Sequence, residues 1–206
     1  MDLYAEPLDP KRPVVCFDES PFQLLDHVRG PQACAPGKAR REDFEYRRAG
    51  VANAMMTCQP AAGLRTCLAM ESKTKIDFAN CRRRIEELFP EADKIRLAMD
   101  NLSTHSASAL LRALGEGEMW RMMDKFEFHF TPKHASWLNV AELEFAGLGR
   151  SVFKKRISSA ERFKVELDAR CASRNAEGKP VKWLFTKEKA REKMGKRYPG
   201  ASSNST

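Results

Sequence analysis

Three acidic side chains stand where folding could gather them. Asp18 closes the apolar run Pro13-Val14-Val15-Cys16-Phe17, Asp100 closes Lys94-Ile95-Arg96-Leu97-Ala98-Met99, and Glu142 follows the alternating segment Phe126–Phe130 on a helical stretch. In an open α/β sheet, sites form at the carboxyl ends of strands, so neighbouring strands would bring Asp18 and Asp100 together. Three anionic oxygen donors converging there repel one another unless a divalent cation intervenes. Mg²⁺ suits oxygen ligands and keeps waters that a phosphate can replace, and Mn²⁺ would serve in its place. Two such ions, about 3.5–4 Å apart, can activate a water or a 3′-hydroxyl and stabilise the leaving oxygen of an in-line displacement. An Asp at a strand end is also commonplace and often merely caps the next element. Spacing alone leaves both readings open.

The elements that must position these residues follow from the patterning. Residues 1–12 are polar, contain Pro7 and Pro10, and read as a lead-in segment. Residues 13–17 suit a short buried strand ending at Asp18. Residues 29–43 collect Gly30, Pro31, Pro36, Gly37 and the basic side chains Arg29, Lys38, Arg40 and Arg41, which is a solvated loop. Phe44 to Cys58 and Leu64 to Met70 read as strands paired antiparallel across the turn at residues 60–63. Ile76, Phe78, Cys81, Ile85, Leu88 and Phe89 recur at helical spacing, leaving Arg82, Arg83, Arg84, Glu86 and Glu87 outside, and Pro90 stops the helix.

Residues 94–99 form a central strand running into Asp100. A helix from about Ser106, which can cap it, to Leu114 is broken at Gly115 and Gly117, with a further helical turn at Met119–Met123. Residues 126–130 alternate as a strand. A long helix is expected from about Trp137 to Phe153, with Trp137 read as a core residue. A charged helix spans about Ala160 to Arg174, and a basic helix Lys187 to Arg197. The order implies an α/β domain over residues 13–199, a mixed five-stranded sheet flanked by helices, with residues 200–206 as a disordered tail.

A chain of 206 residues has room for one ordinary domain, and 42% apolar content is enough for its core. No run of about eighteen apolar residues exists to span a membrane. The start, Met-Asp-Leu-Tyr-Ala-Glu-Pro, lacks the order of a secretory signal, so a cytoplasmic location is expected. The net charge of +8 and pI near 9.3 favour a polyanionic partner, because Lys and Arg on phosphates release condensed counterions. The six cysteines include no Cys-x-x-Cys pair and read as reduced thiols, several of them core-filling.

Three blocks carry a resemblance: Phe17-Asp18-Glu19; Asp100-Asn101-Leu102-Ser103-Thr104-His105; and Phe130-Thr131-Pro132-Lys133-His134-Ala135-Ser136-Trp137-Leu138-Asn139-Val140-Ala141-Glu142. In order, they resemble the insertion sequence 630 family of transposases, bacterial relatives of mariner with a DDE-type, ribonuclease H-like domain. Residues 2–18, 46–53 and 183–186 match as well, so the likeness runs from residue 2 to about 199.

The resemblance implies Asp18, Asp100 and Glu142 as catalytic metal ligands for two Mg²⁺ ions, acting on double-stranded DNA at transposon ends and at the target. Glu144 is the rival third ligand. Helical phase does not separate it from Glu142, whereas the Trp-Leu-Asn-x-x-Glu pattern selects Glu142. Residues 101–141 separate the last two ligands, a longer gap than in many relatives but similar to one subgroup.

Asn101 and His105 could orient a ligand or touch the scissile phosphate, and are equally ordinary capping residues. His134 and Asn139 could line the site or bind DNA backbone, or simply satisfy a loop. Of the basic clusters, Lys154-Lys155-Arg156 is the first choice for phosphate contact, since it is expected at the end of the Glu142 helix. It would also suit the negative end of that helix dipole.

Members of the family usually carry an N-terminal helix-turn-helix region that reads the element's ends. Here the catalytic blocks begin at once, so the expectation is a fragment, or a separate helix-turn-helix polypeptide, with dimerisation suggested by pairing of two ends. Two other readings stand beside the transposase: a DNA-binding remnant that does not cut, and a structure-selective nuclease of the same fold that never joins ends.

Overall fold

The computed structural model describes residues 2–100, 111–112, 114–132 and 135–195. Five strands form one sheet: β1 (Val14–His27), β2 (Tyr46–Gln59), β3 (Leu64–Met70), β4 (Ile95–Met99) and β5 (Phe126–Phe130), in the spatial order β3-β2-β1-β4-β5. β1 is antiparallel to β2 and parallel to β4, β2 is antiparallel to β3, and β4 is parallel to β5. This is the mixed, helix-flanked sheet expected from the sequence. Helices α1 (Lys75–Leu88), α2 (Glu116–Lys125), α3 (Ala141–Arg150), α4 (Ala160–Ala176) and α5 (Lys187–Met194) accompany the sheet, with short 3₁₀ turns at Asp2–Tyr4 and Ser136–Leu138.

Period-two alternation divides the sheet into two covered faces. Cys16, Met56, Cys58, Cys67 and Ala98 point into one core with Phe145 and Leu148 of α3 and Phe163 and Leu167 of α4. Val15, Phe17, Leu97 and Met99 point into the other with Phe78 and Ile85 of α1 and Met119 of α2. Among the described residues, all six cysteines are free thiols and only Cys34 is exposed. No described helix is long and apolar enough to cross a membrane.

Local chemistry sets the boundaries. Thr74 and Asp77 form a reciprocal capping box at the start of α1, satisfying two amides that would otherwise lack partners. The β2–β3 turn needs Gly63, whose φ is +67° and where a Cβ would collide with the Lys179 carbonyl.

Several boundaries differ from the sequence reading. β1 does not end at Asp18: it runs nine residues further against β2, as far as His27 opposite Tyr46. Phe22 and Leu24 remain buried at alternate positions, so the strand continues through the exposed Pro21. α3 starts at Ala141 rather than near Trp137, because residues 136–138 form a separate 3₁₀ turn and Asn139 is extended. α3 also ends at Arg150, so Lys154–Arg156 lie beyond the helix, not on its last turn.

Gly117 sits inside α2, which spans ten residues rather than one turn. Trp137 is 41% exposed, its ring edge-on to Phe185, so it is not a core residue; the 3₁₀ turn carries it to the rim. The helix expected from Ser106 falls mostly outside the described residues, as does the tail.

Arg82 is the clearest departure. The helical pattern put it outside, yet it is fully buried. It lies one turn from Phe78, with its guanidinium 4.6 Å and 4.5 Å from the ring centroids of Phe126 and Phe128. One nitrogen donates to the Met122 carbonyl at 3.2 Å. Ring quadrupoles take the place of water around the cation, although burial still pushes it down to about 9.

Candidate active site

Asp18 and Asp100 come together through strand register. Val14, Val15 and Cys16 of β1 pair with Arg96, Leu97 and Ala98 of β4. Two more residues along both parallel strands reach Asp18 and Asp100. Because Cys16 and Ala98 face the α3–α4 core, alternation turns both aspartates to that same face. Glu142 enters from above, on the first turn of α3.

The electrostatics record this approach. Asp18 is only 9% exposed. Burial first, then the Glu142 carboxylate, push its carboxyl up to about 7. Glu19 and Asp100 add to the repulsion, and a 2.9 Å hydrogen bond from the Glu19 amide to Asp18 Oδ1 partly offsets it. A buried carboxyl crowded by other acidic groups is what a hard divalent cation relieves, and the donor set is all oxygen.

The tight three-carboxylate cluster expected from the sequence is not formed, however. Among the described residues, no three His, Cys, Asp or Glu side chains stand close enough to hold one metal ion. Like-charge repulsion works against closing the three, and one Asp18 oxygen is turned back onto the Glu19 amide.

The position of α3 depends on Asn139, which is wholly buried. Its Nδ2 donates to the Phe17 carbonyl at 2.7 Å, and its Oδ1 accepts from the Ala141 amide at 3.2 Å. One side chain thus ties the first turn of α3 to the residue before Asp18. Of the roles weighed for it, lining the site, binding DNA backbone or satisfying a loop, these two bonds are those of the last, and they hold the start of the Glu142 helix against β1. Replacing Asn139 with Ala leaves a buried carbonyl and a buried amide without these partners. A loss of about 2–3 kcal/mol in stability is expected, readable by urea unfolding.

Glu144 lies on another side of α3. It forms a 2.7 Å ion pair with Arg65, whose side chain is 2% exposed. The sequence reading missed Arg65, although a signal was present. Alternation in β3 puts residue 65 on the same covered face as Cys67, where a charge demands a partner.

Lys154 is exposed. Lys155 pairs with Glu166 at 2.5 Å. Arg156 donates to the Phe44 and Glu45 carbonyls at 3.2 Å each and holds down the start of β2. Asn101, His105 and His134 lie outside the described residues. The lead-in segment is tied to the domain: the Tyr4 hydroxyl donates to the Leu138 carbonyl at 3.1 Å, and its ring lies 5.1 Å from Trp183.

Residues 13–164 match the family described as DDE superfamily endonuclease. The chain belongs to that family. No curated protein matches it in sequence. Among solved structures, the chain is similar to a pre-cleavage Mos1 transpososome, at 14% identity and a TM-score of 0.48, over 82% of this chain and 57% of that one. It is likewise similar to the Mos1 mariner paired end complex with Mn (16%, TM-score 0.46, 82% and 56%) and to the Mos1 Strand Transfer Complex (15%, TM-score 0.46, 81% and 55%). The chain spans a little over half the length of these solved chains.

Proposed function

We propose that this chain is the catalytic domain of a cut-and-paste DNA transposase of the insertion sequence 630 kind, with Asp18, Asp100 and Glu142 as the ligands of two Mg²⁺ ions. The observation that carries the reading is the Asp18 carboxyl at the point where β1 and β4 run side by side, pushed up first by its burial and then by the Glu142 carboxylate. Membership of the DDE superfamily endonucleases supports it. The reaction class is phosphoryl transfer: hydrolytic cleavage of a strand at a transposon end, then attack of the freed 3′-hydroxyl on target DNA.

When bound, the two cations would activate the attacking oxygen and offset charge on the leaving one. The chain's own contribution is placement. Strand register fixes Asp18 beside Asp100, Asn139 fixes the start of α3, and the helix turns Glu142 toward Asp18 while Glu144 stays on Arg65. Exposed Lys154, with the net charge of +8, favours the DNA backbone. Recognition of the ends by a helix-turn-helix part and pairing of two copies belong to the same reading.

The test uses duplexes ending in the terminal repeats that flank the gene. With Mg²⁺ or Mn²⁺, metal-dependent nicks at the repeat ends are expected, and a pre-cleaved end should be joined to a second duplex. Salt-sensitive binding without any product would leave a non-cutting DNA-binding remnant. Cleavage without joining would leave a nuclease.

A further inference from the structure

Between α3, α4 and the β2–β3 half of the sheet lies a cavity of about 300 Å³. Met56 is part of its lining. Met56 pairs directly with Asp18 in the β1–β2 register, so one wall of the cavity lies on the strand next to Asp18.

The cavity is rich in guanidinium groups. Arg65 is occupied by Glu144 at 2.7 Å, and Arg174 by Glu177 at 2.9 Å. Arg150 of α3 and Arg170 of α4 also line the cavity, and neither has an ion-pair partner among the described residues. Gly147, three residues before Arg150 on α3, also lines the cavity. A Cβ there would stand 4.0 Å from Arg170 Nη2, so any longer side chain would compete for the space the guanidinium borders. Glycine inside a helix is unfavourable relative to Ala, and here it leaves that space open.

We propose that Arg150 and Arg170 form a phosphate-binding site that receives a backbone phosphate of the DNA strand, in the cavity whose Met56 wall adjoins Asp18. Guanidinium forks match paired phosphate oxygens, and two of them with no carboxylate to neutralise them favour an anion in the cavity. The site rests on the transposase reading only for the identity of the molecule carrying the phosphate. Its role is to fix the register of the strand, since a phosphate contact carries no sequence information.

The test measures duplex affinity by fluorescence anisotropy across a salt series. The double substitution Arg150→Gln/Arg170→Gln should weaken binding about tenfold at 0.1 M salt, uniformly across sequences, and reduce the log–log salt slope by about 1. Gly147→Leu keeps every charge and should weaken binding in the same direction, by about threefold or more. Arg162→Gln, an exposed arginine on α4, should change affinity less than about twofold.

An equal loss in Arg162→Gln, or unchanged affinity in the double variant, overturns the site. Inorganic phosphate at matched ionic strength provides a second arm. If it raises the melting temperature of the parent but not of the double variant while DNA affinity stays unchanged, the cavity serves a free phosphate compound and the DNA assignment is overturned. The same series in an Asp100→Asn background should give the same losses. Failure to cleave DNA therefore leaves this result readable.

Discussion

Asp18→Asn, Asp100→Asn and Glu142→Gln are each expected to reduce metal-dependent strand cleavage on the order of 10³-fold or more while leaving duplex binding within about threefold. Each substitution keeps shape and hydrogen bonding and removes one anionic donor. Glu144→Gln is the discriminating control. Its carboxylate sits on the buried Arg65 guanidinium, so its loss leaves an uncompensated buried cation. Breaking such a pair costs about 3–5 kcal/mol, so Glu144→Gln should lower stability strongly. Whatever protein folds at low temperature should still cleave. Cleavage measured per folded molecule separates the two glutamates: activity retained in Glu142→Gln and lost in Glu144→Gln would exchange their roles.

The second large effect is on stability, and it runs opposite to activity. The Asp18 carboxyl has an ordinary value of 3.8 and is pushed up to about 7 in the fold. The folded state therefore holds the proton more tightly than the unfolded chain does. The stability this contributes is present in full below the ordinary value and is lost as pH rises through about 7. Asp18→Asn carries no charge to lose. In chelator-treated protein at pH 8 it should be more stable than the parent by about 2–3 kcal/mol, or roughly 5–10 °C in melting temperature.

The gap should close near pH 4. Added Mg²⁺ should raise the parent's melting temperature and leave Asp18→Asn unmoved, since binding stabilises only a state that has the site. A lower melting temperature for Asp18→Asn at pH 8 in chelator would show that the carboxylate is not under strain from its neighbours. Stability given up for a charged site is a common consequence of building one.

Much of the frame was legible from local pattern. Ile95–Met99 is an unbroken buried run and could only be a central strand, so Asp100 at its end was readable at once. The β2–β3 hairpin announced itself through its turn residues, and α1 through its apolar spacing and Pro90. What local pattern hid were the consequences of tertiary packing.

Asp18 looked like a strand end because the apolar run of residues 13–17 stops there, yet pairing with β2 carries the strand on to His27. Arg82 looked solvated because helical periodicity counts charge as polar, whereas three phenylalanine rings shelter it. The start of α3 was hidden because the bond from Asn139 to Phe17 spans 122 residues. The choice between Glu142 and Glu144 could not come from helical phase. What distinguishes the two in the structure is Arg65 of β3, which pairs with Glu144.

The central claim is that two strand-borne aspartates and the first-turn glutamate of α3 bind divalent cations. Anomalous diffraction from crystals grown with Mn²⁺ tests it most directly. The prediction is a manganese peak bound by Asp18 and Asp100 at about 2.1 Å, with Glu142 drawn toward the same ion pair and Glu144 still on Arg65. Manganese seated elsewhere on the chain, with Asp18 and Asp100 free of it, would contradict the account.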